Sequence, residues 1–239
     1  MKKIDVCFSP ALYPYYAKCT DRIVVVTDIF RASTTMCAAF GNGAKAIIPV
    51  ASIDEAKTYK DRGYKVGAER NVKRCDFADF GNAPTDYTEE KVKGEEIVFT
   101  TTNGTQAIDT AADAGILLVG AFSNLNAVAD FCIEQAKDVM VLCAGWENQF
   151  NIEDTLFGGA LAHVLIARGG YQSASDAAQV ALSMWQEAEK NPRAYVERTE
   201  HIRRLEANGL ADSVDYCLAI DTVPLVPVFD KETRRLTIG

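Results

Sequence analysis

The segment Ile23 to Thr35, IVVVTDIFRASTT, narrows the choice of fold more than any other part of the chain. Ile23 to Val26 is a run of β-branched residues long enough for one buried strand. It carries Asp28 to the strand's C-terminal end. Arg31, Ser33, Thr34 and Thr35 follow, and then an alanine-rich helical stretch through Phe40. In parallel α/β proteins, ligands sit outside that edge of the sheet. The N–H groups of a helix's first turn favour an anion, and hydroxyls and an arginine fork add matched donors. Asp28 repels an anion unless a cation lies between them, so the set points to a divalent metal plus a phosphate. The same residues admit a plainer reading, in which Ser33 caps the helix and Arg31 pairs with Asp28.

The rest of the chain alternates strands and helices in the manner of an α/β protein. Strands are expected at 3–8, 46–50, 64–66, 97–100, 116–119 and 139–143. Helices are expected from Ser52 to Lys60, after Gly104 to Ala114, from Ser123 or Asn124 to about Lys137, and from Asn151 to Ala167. Ser175 caps a further helix to Lys190, Pro192 opens a charged one to about Asn208, and 223–228 with 235–238 read as a closing hairpin. Residues 71–88 show no clear periodicity, and a loop of that length is usually functional or a lid.

The chain also resembles itself at an offset of roughly seventy residues. IVVVTDIFRASTT matches IVFTTTNGT, GAKAIIPVASIDEA matches DAGILLVGAFSNLNAVA, and KVGAERN matches LCAGWEN. The expected fold is therefore a layered α/β/α sandwich with a mostly parallel mixed sheet and an internal β-α-β duplication. One domain over 1–239 would hold two similar halves, about 20–90 and 95–170, plus a C-terminal helical and hairpin segment. Such a duplication sets the loop of Asp28 and Arg31 beside that of Thr102, Asn103, Gly104 and Thr105, and the two loops should bracket one pocket. Three consecutive threonines, Thr100 to Thr102, cannot all face one side of a strand. Gly104 permits close backbone approach to a ligand. Glu69, Arg70, Glu147, Glu153 and Asp154 leave strand ends or open helices. The carboxylates among them are either partners of helix dipoles or, if several converge, the oxygen ligands that Mg²⁺ requires.

Composition excludes other classes. The chain has 25 Lys and Arg against 33 Asp and Glu, a formal charge of -8, so nucleic acid is not an expected partner. No apolar run approaches membrane-spanning length, and Asp5, Pro10 and Pro14 break up what would be a signal peptide's apolar core. The seven cysteines are scattered without a C-x-x-C pair, which fits a reduced cytoplasmic location. Known phosphate machinery is missing: there is no P-loop, no phosphocysteine loop and no D-x-D nucleophile. Gly41-Asn42-Gly43 sits between a helix and a strand, the wrong order for a dinucleotide fingerprint. His163 reads as a packed helical residue and His201 as ambiguous.

Six blocks in order resemble a known family. They are Asp28 to Thr35, Gly67 to Arg70, Phe80-Gly81-Asn82-Ala83-Pro84, Thr100 to Thr105, Cys143-Ala144-Gly145, and Glu153-Asp154 with Gly158-Gly159-Ala160. Together they are similar to the Mg²⁺-dependent 2-phosphosulfolactate phosphatases of coenzyme M biosynthesis. The resemblance implies an α/β fold, a Mg²⁺ cofactor and hydrolysis of phosphosulfolactate to sulfolactate and phosphate. Glu200-His201-Ile202 departs from the Ser-His-Gly-like segment expected there, which weakens a role for His201.

The expected site follows from this chemistry. Asp28, with help from Glu69, Glu153 or Asp154, would hold Mg²⁺. Arg31, Ser33, Thr34, Thr35, Thr102, Asn103, Gly104 and Thr105 would surround the phosphoryl oxygens. Arg70, Lys73 and Asn82 would meet the substrate's carboxylate and sulfonate. The expected partner is a small anionic phosphate ester, and a homodimer is compatible with the chain. Hydrolysis of another phosphorylated 2-hydroxy acid, or anion binding without turnover, are the rival functions.

Overall fold

The computed structural model describes residues 1–16 and 20–239; Cys19 and the end of the expected irregular connection lie outside them. Eleven strands form one sheet: β1 (Lys2–Cys7), β2 (Ile23–Thr27), β3 (Ala46–Pro49), β4 (Lys65–Arg70), β5 (Lys73–Arg74), β6 (Glu96–Thr100), β7 (Ile116–Val119), β8 (Val139–Cys143), β9 (Tyr171–Ser173), β10 (Pro227–Asp230) and β11 (Arg235–Ile238). The helices are α1 (Ala32–Gly41), α2 (Ile53–Asp61), α3 (Glu89–Val92), α4 (Gly104–Thr110), α5 (Leu125–Gln135), α6 (Ile152–Gly169), α7 (Asp176–Ala188), α8 (Pro192–Val196), α9 (Glu200–Ala207) and α10 (Ser213–Leu218). The result is the expected mixed α/β architecture, a large and mostly parallel sheet flanked by helices.

The strand order is β5-β4-β6-β3-β11-β10-β7-β2-β8-β1-β9. Strands β4, β6 and β3 make one parallel arm, and β7, β2, β8, β1 and β9 make another. The hairpin β10–β11 joins them, pairing antiparallel with β7 on one side and β3 on the other. The segments that match in sequence are interleaved. Strand β2 lies between β7 and β8, and β6 lies between β3 and β4.

Alternation along β2 shows why its sequence is apolar throughout. Ile23 and Val25 face a core closed by α5, α6 and α7, whereas Val24 and Val26 face a second core with Met36 and Phe40 of α1. That second core also takes Ile97 and Phe99 from the other arm, so α1 and α4 lie between the two arms. On the far face of the smaller arm, Ile48, Val66 and Val98 pack beneath Ala56 of α2. Neighbouring strands rotate by about 20–25°, so the five steps from β2 to β6 accumulate roughly 100–125°. The arms cross rather than oppose each other.

Several sequence expectations shift. The single charged helix expected over 192–208 is broken into α8 and α9, because Thr199 caps the second with its hydroxyl accepting from Ile202 N–H. The strand expected at 223–228 begins only at Pro227; the Asn124 side chain donates to Leu225 O, and Val223 N–H donates to Ser123 O. The short strand at 64–66 runs on to Arg70. His163 is exposed rather than packed. Within residues 71–88, 71–77 are exposed or half-buried, whereas Ala78, Phe80, Asn82, Pro84 and Tyr87 are packed into the protein. Tyr87 is buried and donates to Gly81 O at 2.8 Å, and a Cβ on Gly67 would lie 2.1 Å from its hydroxyl.

Helices α6 and α7 touch through Gly159, where an added Cβ would lie 2.0 Å from Ala181 O and 2.9 Å from Trp185 Cβ. Gly159→Ala is therefore expected to force these helices apart and destabilise the protein by about 1–3 kcal/mol, as overpacking typically does. Urea denaturation followed by circular dichroism measures this, and an unchanged midpoint would contradict the close contact.

Candidate active site

The loops that follow β2 and β6 meet. Gly104 opens α4 directly against Asp28: a Cβ there would lie 2.7 Å from Ala32 Cβ and 2.8 Å from Asp28 Oδ2. A glycine is what the contact requires. The other side of the junction is the turn after β8, where Glu147 N–H donates to Asn103 Oδ1 at 3.0 Å. Three strand ends thus converge on Asp28, Asn103 and Glu147. The Phe30–Arg31 peptide is cis.

Most of the hydroxyls expected to meet a phosphate are committed within the protein. Asp28 N–H donates to Ser33 Oγ, Thr34 Oγ1 donates to Ile29 O, and Thr35 Oγ1 donates to Asn82 O. All three side chains are buried, and they brace the turn that follows β2. Helix α1 begins at Ala32 with Arg31 at its cap position, so Ser33 is not the cap. In the second loop, Thr105 and Thr101 bond to each other. Thr102 Oγ1 donates to Glu69 Oε1 at 3.1 Å.

The four carboxylates proposed for the metal likewise divide by environment. Asp154 is fully buried; its oxygens accept from Ile29 N–H at 2.8 Å, Gly145 N–H at 3.1 Å and Asn151 Nδ2 at 2.9 Å. Glu69 accepts from Val72 N–H at 2.6 Å and from both the hydroxyl and the N–H of Thr102. Glu153 Oε1 takes Asn151 Nδ2 and, at 2.6 Å, His201 Nδ1. Among the described residues no three His, Cys, Asp or Glu side chains form a metal-ligand cluster. Of the three carboxylates expected to help Asp28, Glu69 and Asp154 already accept backbone N–H groups and Glu153 meets His201.

Asp28 is the exception. Oδ1 accepts only a long bond from Ala32 N–H at 3.3 Å, and among the described residues Oδ2 accepts none. Burial pushes its carboxyl up to about 8. Repulsion from Asp154 and Glu69 adds to this, and His201 and the Ala32 N–H oppose it. Asp154 is raised too, by burial and then by Glu153, against the pull of its three donors. A buried carboxylate with a free oxygen and acidic neighbours calls for a cation. Mg²⁺ commonly takes one or two protein carboxylates and completes its shell with water and substrate phosphate, so Asp28 fits that role with a single protein bond.

Arg31 supplies the positive charge. It is buried, its Nη2 donates to Val72 O at 3.4 Å, and its Nη1 has no partner. Asn82 Oδ1 and Thr27 Oγ1 are also buried and unpartnered. Arg70 is otherwise engaged, donating to Glu69 O, Ala51 O and Thr100 Oγ1, and Lys73 is exposed on β5. Val72, which accepts from Arg31 and donates to Glu69, has φ +62, a left-handed conformation costly for a β-branched residue.

His201 was undervalued by the sequence. It is buried against Glu153, with Phe30 and Trp146 edge-on at 5.6 and 5.5 Å between ring centroids. The available signal was its spacing: with Ile202 and Leu205 it forms the inward face of α9.

An α/β fold with an anion-ready arginine and a free carboxylate at converging strand ends has the parts of a phosphate-ester enzyme. The profile of the 2-phosphosulpholactate phosphatase family matches residues 7–232. A probable 2-phosphosulfolactate phosphatase of Caldanaerobacter subterraneus is 34% identical over 211 residues, 87% of either chain. One of Clostridium novyi is 34% identical over 89% of this chain and 91% of its own. One of Gloeobacter violaceus is 34% identical over 94% of both. The chain belongs to the 2-phosphosulfolactate phosphatase family, a family of phosphoric monoester hydrolases. Among the described residues no helix is long and apolar enough to cross a membrane.

Asp154→Ala tests the division of the carboxylates. It leaves the Ile29 and Gly145 N–H groups buried and unpaired, and at about 1–3 kcal/mol each the expected loss of stability is roughly 2–6 kcal/mol. A variant with wild-type stability, by denaturant titration, would return Asp154 to the pool of ligand residues.

Proposed function

We propose that this chain hydrolyses 2-phosphosulfolactate to 3-sulfolactate and phosphate with Mg²⁺ as cofactor, as a step of coenzyme M biosynthesis in the cytoplasm. Family membership supports the substrate. The observation that carries the reading is the pair of open groups on one loop, Asp28 Oδ2 and Arg31 Nη1. Asp28 would hold the cation. When bound, Mg²⁺ neutralises phosphoryl oxygens and makes water at the site a better nucleophile.

The protein's own groups supply the rest. Arg31 Nη1–H donates to an equatorial phosphoryl oxygen, where charge spreads in the transition state. Asn82, whose buried Oδ1 has no partner among the described residues, and Asn103, next to the Gly104 that meets Asp28, would orient the remaining oxygens. Glu69, Asp154 and the braced hydroxyls keep these groups in place, so little reorganisation accompanies the reaction. Water attacks phosphorus in line, the ester P–O bond breaks, and the departing oxygen leaves as the 2-hydroxyl of sulfolactate. The decisive experiment measures phosphate release from a panel of phosphorylated 2-hydroxy acids, with Mg²⁺ and with chelator. No turnover of any member in Mg²⁺ would refute the reading.

Two substitutions probe the roles. Asp28→Asn keeps the shape and removes the charge, so Mg²⁺-dependent turnover should vanish while the circular dichroism spectrum stays native. Unchanged turnover at saturating Mg²⁺ would remove Asp28 from the mechanism. If calorimetry finds normal metal binding in an inactive variant, Asp28 is a nucleophile or base instead.

Arg31→Lys should be nearly as damaging as Arg31→Ala, because an ammonium cannot reproduce a planar fork. The expected loss is about 3 kcal/mol of transition-state stabilisation, the scale of one oxyanion donor. Steady-state kinetics decide it: a lysine variant with near-normal kcat/KM would make Arg31 a structural residue.

A further inference from the structure

Beyond the phosphate loop, one cavity of about 280 Å³ is lined by four residues that each carry a buried polar atom with no partner among the described residues. The atoms are Asn151 Oδ1, Glu153 Oε2, His201 Nε2 and Arg204 Nε. Folded proteins satisfy the great majority of their buried polar groups, so four exceptions on the residues of one lining point to a missing ligand. The cavity adjoins the site already described. Asn151 Nδ2 donates both to Glu153 Oε1 and to Asp154 Oδ2, and Asp154 in turn holds Ile29 N–H, next to Asp28.

The groups around it define the ligand's chemistry. The Arg204 guanidinium carbon lies over the Trp146 ring, 4.1 Å from its centroid, a cation–π contact that leaves the N–H groups unconsumed. Its Nη1 is 3.7 Å from Glu200 Oε2, which offsets only part of its charge. His201 has Nδ1 taken up by Glu153, leaving Nε2 as the ring atom free to meet a ligand. Exposed Arg198 adds a second positive charge to the lining. Glu153 and Glu200 on the same wall disfavour a dianion but tolerate one negative charge opposite two arginines. Trp146 and Ile152 offer apolar surface for a short carbon stem.

We propose that this cavity binds one of the substrate's two singly charged acids, the carboxylate or the sulfonate that flank the phosphate-bearing carbon, with Arg204 as its principal donor and His201 beside it. This rests on the phosphatase reading of the neighbouring loop. It replaces Arg70 and Lys73 as the residues that recognise that end of the substrate.

The test compares kcat/KM for phosphosulfolactate with that for ethyl phosphate, which carries no second acid. The wild-type enzyme should prefer the former, and Arg204→Gln should shrink that preference by about tenfold, the scale of one hydrogen bond to a charged group. A preference within about twofold of wild type would overturn the assignment, since loss of the acid contact must fall on one substrate alone. If Arg204→Gln fails to fold, Arg204→Lys serves instead, since it keeps the stem and the charge but loses the planar fork. A reduced preference sustains the proposal and an unchanged one rejects it.

Binding is scored separately by tryptophan fluorescence during titration with 3-sulfolactate. The chain has two tryptophans, and Trp185 is stacked on Phe122 in the core, so a saturable change should disappear in Trp146→Phe. Should the wild-type protein hydrolyse neither ester, the phosphatase reading fails and this titration alone judges the cavity. Saturable binding sustains it, and no binding rejects it.

Discussion

A carboxyl taken out of water needs hydrogen-bond donors, a cation or a proton, and this structure gives donors to Asp154 and Glu69 while leaving an oxygen of Asp28 open. Asp154 is given three donors, two of them backbone N–H groups from the turns that follow β2 and β8. It therefore ties the loop of Asp28 to the neighbouring strand end. Glu69 does the same across the other arm, joining Val72 to Thr102. With these two acids satisfied by the fold, Asp28 is left with an oxygen that accepts no hydrogen bond among the described residues, and Arg31, on the same loop, with an unpartnered Nη1. The imbalance is local and specific. It makes the site receptive to a cation and an anion together, in a protein whose net charge of -8 would repel the anion alone.

The sheet explains why this meeting point exists. Each arm encloses a strand from the other matching segment, and the turns after β2 and β6 meet where Gly104 lies against Asp28. Both arms share one core around α1 and α4, and that core fixes their crossing. Glycine at position 104 then permits contact at the distance of touching atoms. Arg31 and Asn103 are held on loops, but those loops are clamped at both ends by buried bonds, which gives them the fixed geometry usually associated with regular structure.

What could be read in the sequence was the part governed by short-range pattern. The β-branched run before Asp28, the alanine-rich helix after Arg31 and the glycine after Asn103 all announced their local structure. The identity of the protein's family was carried by blocks of this kind. The assignment of individual side chains was not legible, because it depends on partners far away in the chain. Thr35 bonds to a carbonyl 47 residues on, Thr102 to a carboxylate 33 residues back, and Asp154 to an N–H 125 residues earlier. A hydroxyl near a helix start looks the same in sequence whether it faces a ligand or a neighbouring loop. His201 was obscured for a related reason: its partner Glu153 lies on another helix, and the Thr199 cap that sets the inward face of α9 falls inside a run of charged residues.

The hairpin near the C-terminus has a consequence for how the molecule comes to exist. It is the seam of the sheet, since β10 and β11 stand between the two arms and pair with both. Strand β2 is synthesised early, yet its neighbours β7 and β8 appear roughly a hundred residues later, and the seam appears only with the final residues. At a synthesis rate of about 5–20 residues per second, that leaves Ile23–Thr27 waiting for several seconds with its ladder unpaired. An apolar strand held open for so long is a template for wrong pairing. In chain order β2 precedes both of its sheet neighbours and the seam that joins the arms.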